Sequence, residues 1–226
     1  MTAPWPLEHR RGSAVDFHAL ELLDPMRRAL WWFEVTERAV VLGSTQADVV
    51  VDRPWAEAHH VEVARRRSGG GAVWLAPGEV TWVDVLLPAG DDRWDDDVVR
   101  AASWLGEAWA EVLERLGIGE PEVHHGGLVS TPWSRLVCFA GIGPGEVTVG
   151  GQKVVGISQR RTRAGARFQC ALLHRWDPVP LARALALGPH AEDALAPLSV
   201  GIEELTGVPH GPAEVVAALA GVLAAT

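Results

Sequence analysis

Of the 20 lysine and arginine positions in this chain, a single one is lysine, Lys153, and the chain has no tyrosine and no asparagine. Fifteen residues before it stands Cys138, one of two cysteines. Between them the pattern "EVTV", Gly150-Gly151, "QKVVGIS" reads as strand, tight turn and return strand, a hairpin that can carry Lys153 back toward Cys138. An ammonium beside a thiol stabilises the thiolate, the reactive form of a cysteine nucleophile. Lysine can also give up its proton when partly buried, which arginine effectively cannot. Plainer readings stand beside this one: coding bias can leave a chance surface lysine, and an isolated cysteine is often a small buried hydrophobe.

The second candidate is "RRRSGGGAVW", residues 65–74. Three consecutive glycines let a ligand approach the main chain closely, and flanking arginines can neutralise a carboxylate or phosphate. A glycine run before a strand is also an ordinary flexible turn. No Lys-Ser or Lys-Thr follows the glycines, so this is not a Walker A loop, and no G-x-G-x-x-G dinucleotide fingerprint is present.

The elements that must position these groups read as one α+β domain over 1–226. Residues 14–34 have helix-like apolar spacing at Leu20, Leu23, Leu30 and Phe33, interrupted at Pro25. "AVVLG" (39–43), "DVVV" (48–51) and "VTWVDVLLP" (80–88) read as strands. Residues 95–116 read as a helix with an acidic start. "GIGEPEVHHGGLVSTPW" reads as loop, "EVTV", "KVVGIS" and "FQCALLH" as three further strands, and Pro212 opens a closing helix.

Composition narrows the function classes. A formal net charge of -9 argues against broad nucleic-acid binding. No apolar run approaches the roughly 20 residues of a membrane span, and the N-terminus lacks a signal-peptide core, which places the protein in the cytoplasm. Cys138 and Cys170 are too few for a disulfide framework and have no metal-ligand spacing, so no metal site is expected. Two basic runs, Arg65 to Arg67 and Arg160 to Arg167, read either as solvated faces or as places to steer an acidic partner.

"RRRSGGGAVW" and "GGQKVVGISQRR", in this order and about 80 residues apart, resemble the lipoate and octanoate attachment family, which is related to the catalytic domain of biotin protein ligases. "VVLGSTQ" (40–46) and "LSVGIEELTG" (198–207) resemble its early strand and late segment. The resemblance spans roughly 30–225. It implies a mixed β-sheet flanked by helices, in a biotin/lipoate protein ligase-type fold without an accessory C-terminal domain. It also implies an acyl tunnel under the glycine loop and an essential lysine, here Lys153, that contacts the acyl carbonyl.

Two chemistries occur in this family. ATP-dependent ligases form an acyl-adenylate and need ATP and Mg²⁺; cysteine-dependent octanoyltransferases and amidotransferases form a thioester and need no cofactor. Cys138 stands where the latter carry their nucleophile, and "GISQRR" resembles them. The Arg-Asn-Asp-like ligase segment cannot occur in a chain without asparagine. The expectation is therefore an acyltransferase with Cys138 and Lys153 catalytic. Arg65, Arg66, Ser68, Gly69, Gly70, Gly71 and Ala72 of the loop, with Gly156, Ser158 and Gln159 of the return strand, would bind substrate. Gly69 to Ala72 would line the tunnel for an eight-carbon chain, and Arg65, Arg66 and the Arg160 to Arg167 run would meet an acidic carrier. The donor would be an acyl carrier protein or an octanoylated or lipoylated H protein, the acceptor a lipoyl domain, with neither nucleic acid nor membrane as partner.

The sequence also departs from the family. Trp74, Leu75 and Ala76 replace a Tyr-His-Asp, and Gln169, Cys170 and Ala171 replace a Gln-His-Gly. Proton transfer is left unassigned, with His124 and His125 as substitutes and a catalytically silent acyl-domain binding protein as a further reading. Cys170 alternates with Phe168 and Leu172 and reads as core.

Overall fold

A computed structural model describes residues 5–22 and 24–225. Its main sheet contains β1 (Leu7–Gly12), β2 (Ala29–Val35), β6 (Val80–Pro88), β7 (Pro121–Val123), β8 (Val147–Val149), β9 (Gln152–Arg161) and β10 (Gly165–Leu173), in the order β1-β2-β6-β10-β9-β8-β7. A small sheet has the order β4-β3-β5, from β3 (Ala39–Leu42), β4 (Glu62–Arg65) and β5 (Val73–Leu75). β1 runs parallel to β2 and β3 to β4, while the remaining pairs are antiparallel, so both sheets are mixed.

Helices α3 (Ser103–Arg115) and α7 (Pro212–Ala225) cover one face of the main sheet. Leu105, Trp109, Val112 and Leu113 of α3 and Val215, Leu219 and Val222 of α7 pack there with Val83, Val85, Val155, Phe168, Cys170 and Leu172. The other face carries Trp31, Phe33, Trp82 and Leu86 toward α1 (Ala14–Ala19) and the small sheet. Helices α2 (Arg53–Ala58), α4 (Val179–Ala184) and α5 (Ala191–Leu195) enclose the far side of the small sheet, and α6 (Ile202–Thr206) precedes α7. With both faces covered, β6 buries eight consecutive residues, the polar Thr81 and Asp84 among them.

Four expectations change. Residues 29–34 form β2 rather than helix: seven nearly all-apolar residues fit a doubly covered strand as well as a helix, and periodicity cannot separate the two. Leu23 lies outside the described residues. "DVVV" is a 3₁₀ turn at Asp48–Val50, because Asp52 caps α2 by accepting the Trp55 N–H and Pro54 opens that helix. The acidic stretch before Ser103 is loop and 3₁₀ turn: Asp95 and Asp97 bind Arg100 instead of starting a helix. Inside the expected loop after α3, Pro121–Val123 adds a short edge strand against β8.

Candidate active site

The hairpin forms as expected: Gly150 and Gly151 have φ of 57° and 78°, the pair of positive values that a two-residue turn between twisted strands requires. It brings Lys153, 1% exposed, beneath the 3₁₀ turn Cys138–Ala140. The Lys153 Nζ donates to the carbonyls of Cys138 (3.1 Å) and Gly141 (3.0 Å) and pairs with Glu146 Oε2 at 2.6 Å. All three ammonium protons thus have acceptors. A compact, three-donor cation suits this fully enclosed site where a planar guanidinium would not. An acyl oxygen reaching Lys153 must displace one of these carbonyls.

Glu146, which sequence reasoning passed over, is the keystone of the arrangement. It is 5% exposed, and besides Lys153 it accepts the N–H groups of Gly143 (2.6 Å) and Ile157 (3.1 Å). The signal available was a lone carboxylate at the head of the hairpin that bears the lone lysine.

Every carbonyl of the cysteine turn is fastened by a side chain. Lys153 holds Cys138, Ser199 Oγ holds Phe139 (2.8 Å), and Thr131 and Ser134 hold Ala140 (2.7 and 3.2 Å). From above, Cys138 N–H donates to Ala72 O and Ala72 N–H to Leu136 O. Gly71 is pressed so close that an added Cβ would lie 2.6–2.7 Å from backbone atoms of Val137 and Cys138. The glycine loop and the cysteine turn therefore interlock.

Half-buried Cys138 stands between two spaces. On one side is a narrow apolar cavity with about 50 Å³ of free interior volume, smaller than the roughly 300–1,000 Å³ typical of small-ligand sites. Its floor is two cross-strand rows of the main sheet, Trp82–Ala171–Gly156 and Gln169–Ser158. Small side chains at 156 and 171 leave the space. Val41, Val73 and Leu75 of the small sheet, with Phe139, form its apolar walls, and His18 of α1 closes it. On the other side is a groove lined by Gly69, Gly70, Gly71, Leu128 and Ser134, with the buried Lys153 and Glu146 beneath it. Cys138, Ile157 and Ser158 line both.

The expected site residues divide accordingly. Cys138, Lys153, Gly69, Gly70, Gly71, Gly156 and Ser158 come together, and Ser68 Oγ meets Ser158 Oγ at 2.9 Å. Gly69 to Gly71 line the groove and not the apolar cavity, and Ala72 is buried behind Cys138. Arg66 lines the cavity, but its guanidinium donates to the carbonyls of Gly69 and Gly71, bracing the loop. Arg65 is directed away, to the Gly43 and Gln46 carbonyls and Asp48. Gln159 falls on the opposite face of β9 from Ser158 and donates to Val98 O.

The basic runs likewise do not form one free patch. Arg167 is buried against Asp84, Arg67 pairs with Glu21, and Arg161 lies over the Trp94 ring. Burial raises the Asp84 carboxyl while Arg167 opposes that rise. His124 Nε2–H donates to the Gly127 carbonyl (2.7 Å), His125 faces Glu107, and neither lines the space around Cys138. The histidine that does is His18, also missed, whose signal was its place on the buried side of α1 with Ala14 and Phe17. Cys170 is fully buried beside Trp109, and burial pushes its thiol far up.

The sequence matches the lipoyl protein ligase A/B catalytic domain over residues 14–220. No curated protein matches it significantly. Among solved structures, the fold is similar to protein Ta0514 from T. acidophilum with bound lipoic acid, at 18% identity and a TM-score of 0.74, covering 100% of this chain and 85% of that one. It is also similar to lipoate-protein ligase A bound with ATP (17%, TM-score 0.72, 99% and 85%). A third is the bi-partite lipoate protein ligase with its E2 lipoyl domain from Thermoplasma acidophilum (16%, TM-score 0.73, 99% and 84%).

Proposed function

The chain belongs to the lipoyl protein ligase A/B catalytic-domain family, and on that premise we propose that it is an acyltransferase that passes an octanoyl or lipoyl group through a thioester on Cys138 to a lysine of a lipoyl domain or H protein. The observation that carries this reading is the position of Cys138, which borders both the apolar cavity and the groove and carries a thiol, a stronger nucleophile than the Ser158 hydroxyl that also lines both. An acyl chain in the cavity presents its carbonyl carbon at the thiol, and an acceptor amine reaches the same carbon along the groove.

The Cys138 thiolate attacks the donor thioester, the donor's thiol leaves with a proton, and the acyl group stays on sulfur. The acceptor's neutral ε-amine then attacks, an amide forms, and the Cys138 thiol is restored. Lys153 and Glu146 keep the turn, and so the sulfur, in place for both steps, which is catalysis by positioning.

The alternative is an ATP-dependent ligase, as the ATP-bound relative illustrates. The groove beside Cys138 fits that reading less well. Lys153 already has Glu146 and two carbonyls, Arg66 has the loop carbonyls, and among the described residues Arg135 is the further cation lining this region. A triphosphate with its metal calls for more positive charge and a free carboxylate than these residues provide. No helix among the described residues is long and apolar enough to cross a membrane.

Intact-mass spectrometry tests the proposal. The protein is mixed with an octanoylated carrier protein without ATP, as wild type and as Cys138→Ala. A hydroxylamine-labile octanoyl adduct on the wild type alone, which passes to an added apo-lipoyl domain, is expected. Lipoyl-domain modification that appears only when lipoate and ATP are supplied overturns it in favour of the ligase.

A further inference from the structure

The apolar cavity contains a built polar spot. Ser68 Oγ donates to Gln169 Oε1 (3.1 Å), which turns the Gln169 amide nitrogen toward His18 Nδ1 at 3.4 Å. An Nδ1 that accepts from an amide fixes the ring proton on Nε2. Stacking on Trp82, with ring centroids 4.5 Å apart, holds the ring plane, and Trp82 is itself anchored through Nε1 to Asp84. The ring is 8% exposed, lines the cavity, and its Nε2–H has no hydrogen-bond partner among the described residues. Burial, with Arg167 and Arg66 nearby, lowers the His18 pKa to about 3, so the imidazole is neutral at physiological pH.

Its position relative to Cys138 decides what it faces. Lys153 and Glu146 line only the groove, His18 and Gln169 only the cavity, and Cys138 borders both. With the acyl carbonyl at Cys138, a chain that enters the cavity runs along the lining to which His18 belongs. A plain alkyl chain leaves that N–H buried and unmatched, a penalty that a chain with an acceptor atom removes.

We propose that His18 is a specificity-determining residue, and that the cavity selects medium-chain acyl groups carrying a hydrogen-bond acceptor along the chain over unsubstituted alkyl acyl groups. The inference rests on the acyl-cavity part of the function proposed above but not on the Cys138 thioester.

The test is calorimetric binding of two free acids, octanoate and 6-oxooctanoate, to the full-length protein as wild type, His18→Leu, His18→Gln and His18→Asn. The wild type is expected to bind the oxo acid about tenfold more tightly, the equivalent of one neutral hydrogen bond. His18→Gln, which keeps an amide donor near the Nε2 position, retains most of that ratio. His18→Leu and His18→Asn bring it to about one, and the Asn variant serves if Leu fails to fold. Loss of packing alone would weaken both acids together without changing the ratio. Equal wild-type affinities, a ratio unchanged by His18→Leu or His18→Asn, or no binding of either acid overturns the proposal. The expected ratio without any Cys138 adduct in the mass experiment leaves it standing while refuting the thioester reading.

Discussion

Replacing Glu146 by glutamine tests whether the Lys153–Glu146 pair organises the site. Glu146 accepts from three donors, Lys153 Nζ and the Gly143 N–H through Oε2 and the Ile157 N–H through Oε1, at 2.6, 2.6 and 3.1 Å. An amide has one acceptor oxygen, so in either orientation its NH₂ faces at least one donor, and the buried ammonium loses its counter-charge. Breaking one partner of a buried pair costs about 3–5 kcal/mol, and the exposures here, 1% and 6% for the side chains, place this pair in that regime. Lys153→Met is expected to cost a similar amount, because it leaves a buried carboxylate with two N–H donors. The double variant restores charge balance, so its cost should fall short of the sum by about 2 kcal/mol or more. Urea denaturation of the four proteins at pH 7, followed by circular dichroism, supplies the cycle. A Glu146→Gln cost below about 1 kcal/mol, or additivity within about 0.5 kcal/mol, refutes the reasoning.

The glycines of the loop should separate sharply. Gly71→Ala, whose Cβ meets backbone at 2.6–2.7 Å, is expected to cost about 1–3 kcal/mol and to slow Cys138 acylation, whereas Gly69→Ala, with nothing within 4 Å, should be near neutral in the same melts and mass assays. Thiol titration of the native protein should show one reactive group, Cys138, with Cys170 reacting only after unfolding; Cys138→Ala should leave no native reactivity. His18 makes stability depend on pH. Its folded pKa of about 3 lies below the ordinary 6.5, so the unfolded chain takes up a proton that the folded one refuses. Stability from this residue is complete above pH 6.5 and falls as pH drops toward 3, by on the order of 4 kcal/mol. His18→Gln should lose that component, seen as a stability difference between the two proteins that changes across this window and is flat above pH 7.

The strongly patterned parts of the chain were legible in sequence: β6, β9, β10 and α7 follow their alternation, their helical spacing or their Pro212 start. The hairpin that delivers Lys153 to the Cys138 backbone was legible because two glycines in a row leave few other turns. What stayed hidden depends on tertiary context. β2 is apolar at nearly every position because the sheet is covered twice, which no local period records. Arg65 and Arg66 look like ligand-binding cations, yet the Gly43 and Gln46 carbonyls claim the donors of Arg65 and the glycine-loop carbonyls those of Arg66. Glu146 and His18 act through partners that the fold, not the spacing, supplies. His18 could not be located by motif, since α1 brings it to the cavity from 151 residues before Gln169, its partner there.

The interlock between the glycine loop and the cysteine turn restricts the order of events at the site. Lifting the loop to widen the mouth would break Cys138 N–H to Ala72 O and Ala72 N–H to Leu136 O and would pull Gly71 from its seat against Val137. A flap that opens in this way disassembles the cysteine turn as it opens. Under the proposed function, loading therefore has to occur with the loop in place, since the same contacts that seat the loop also seat Cys138. Access to the cavity is then set by the loop and the cysteine turn together, and a change in either alters both the opening and the position of the sulfur.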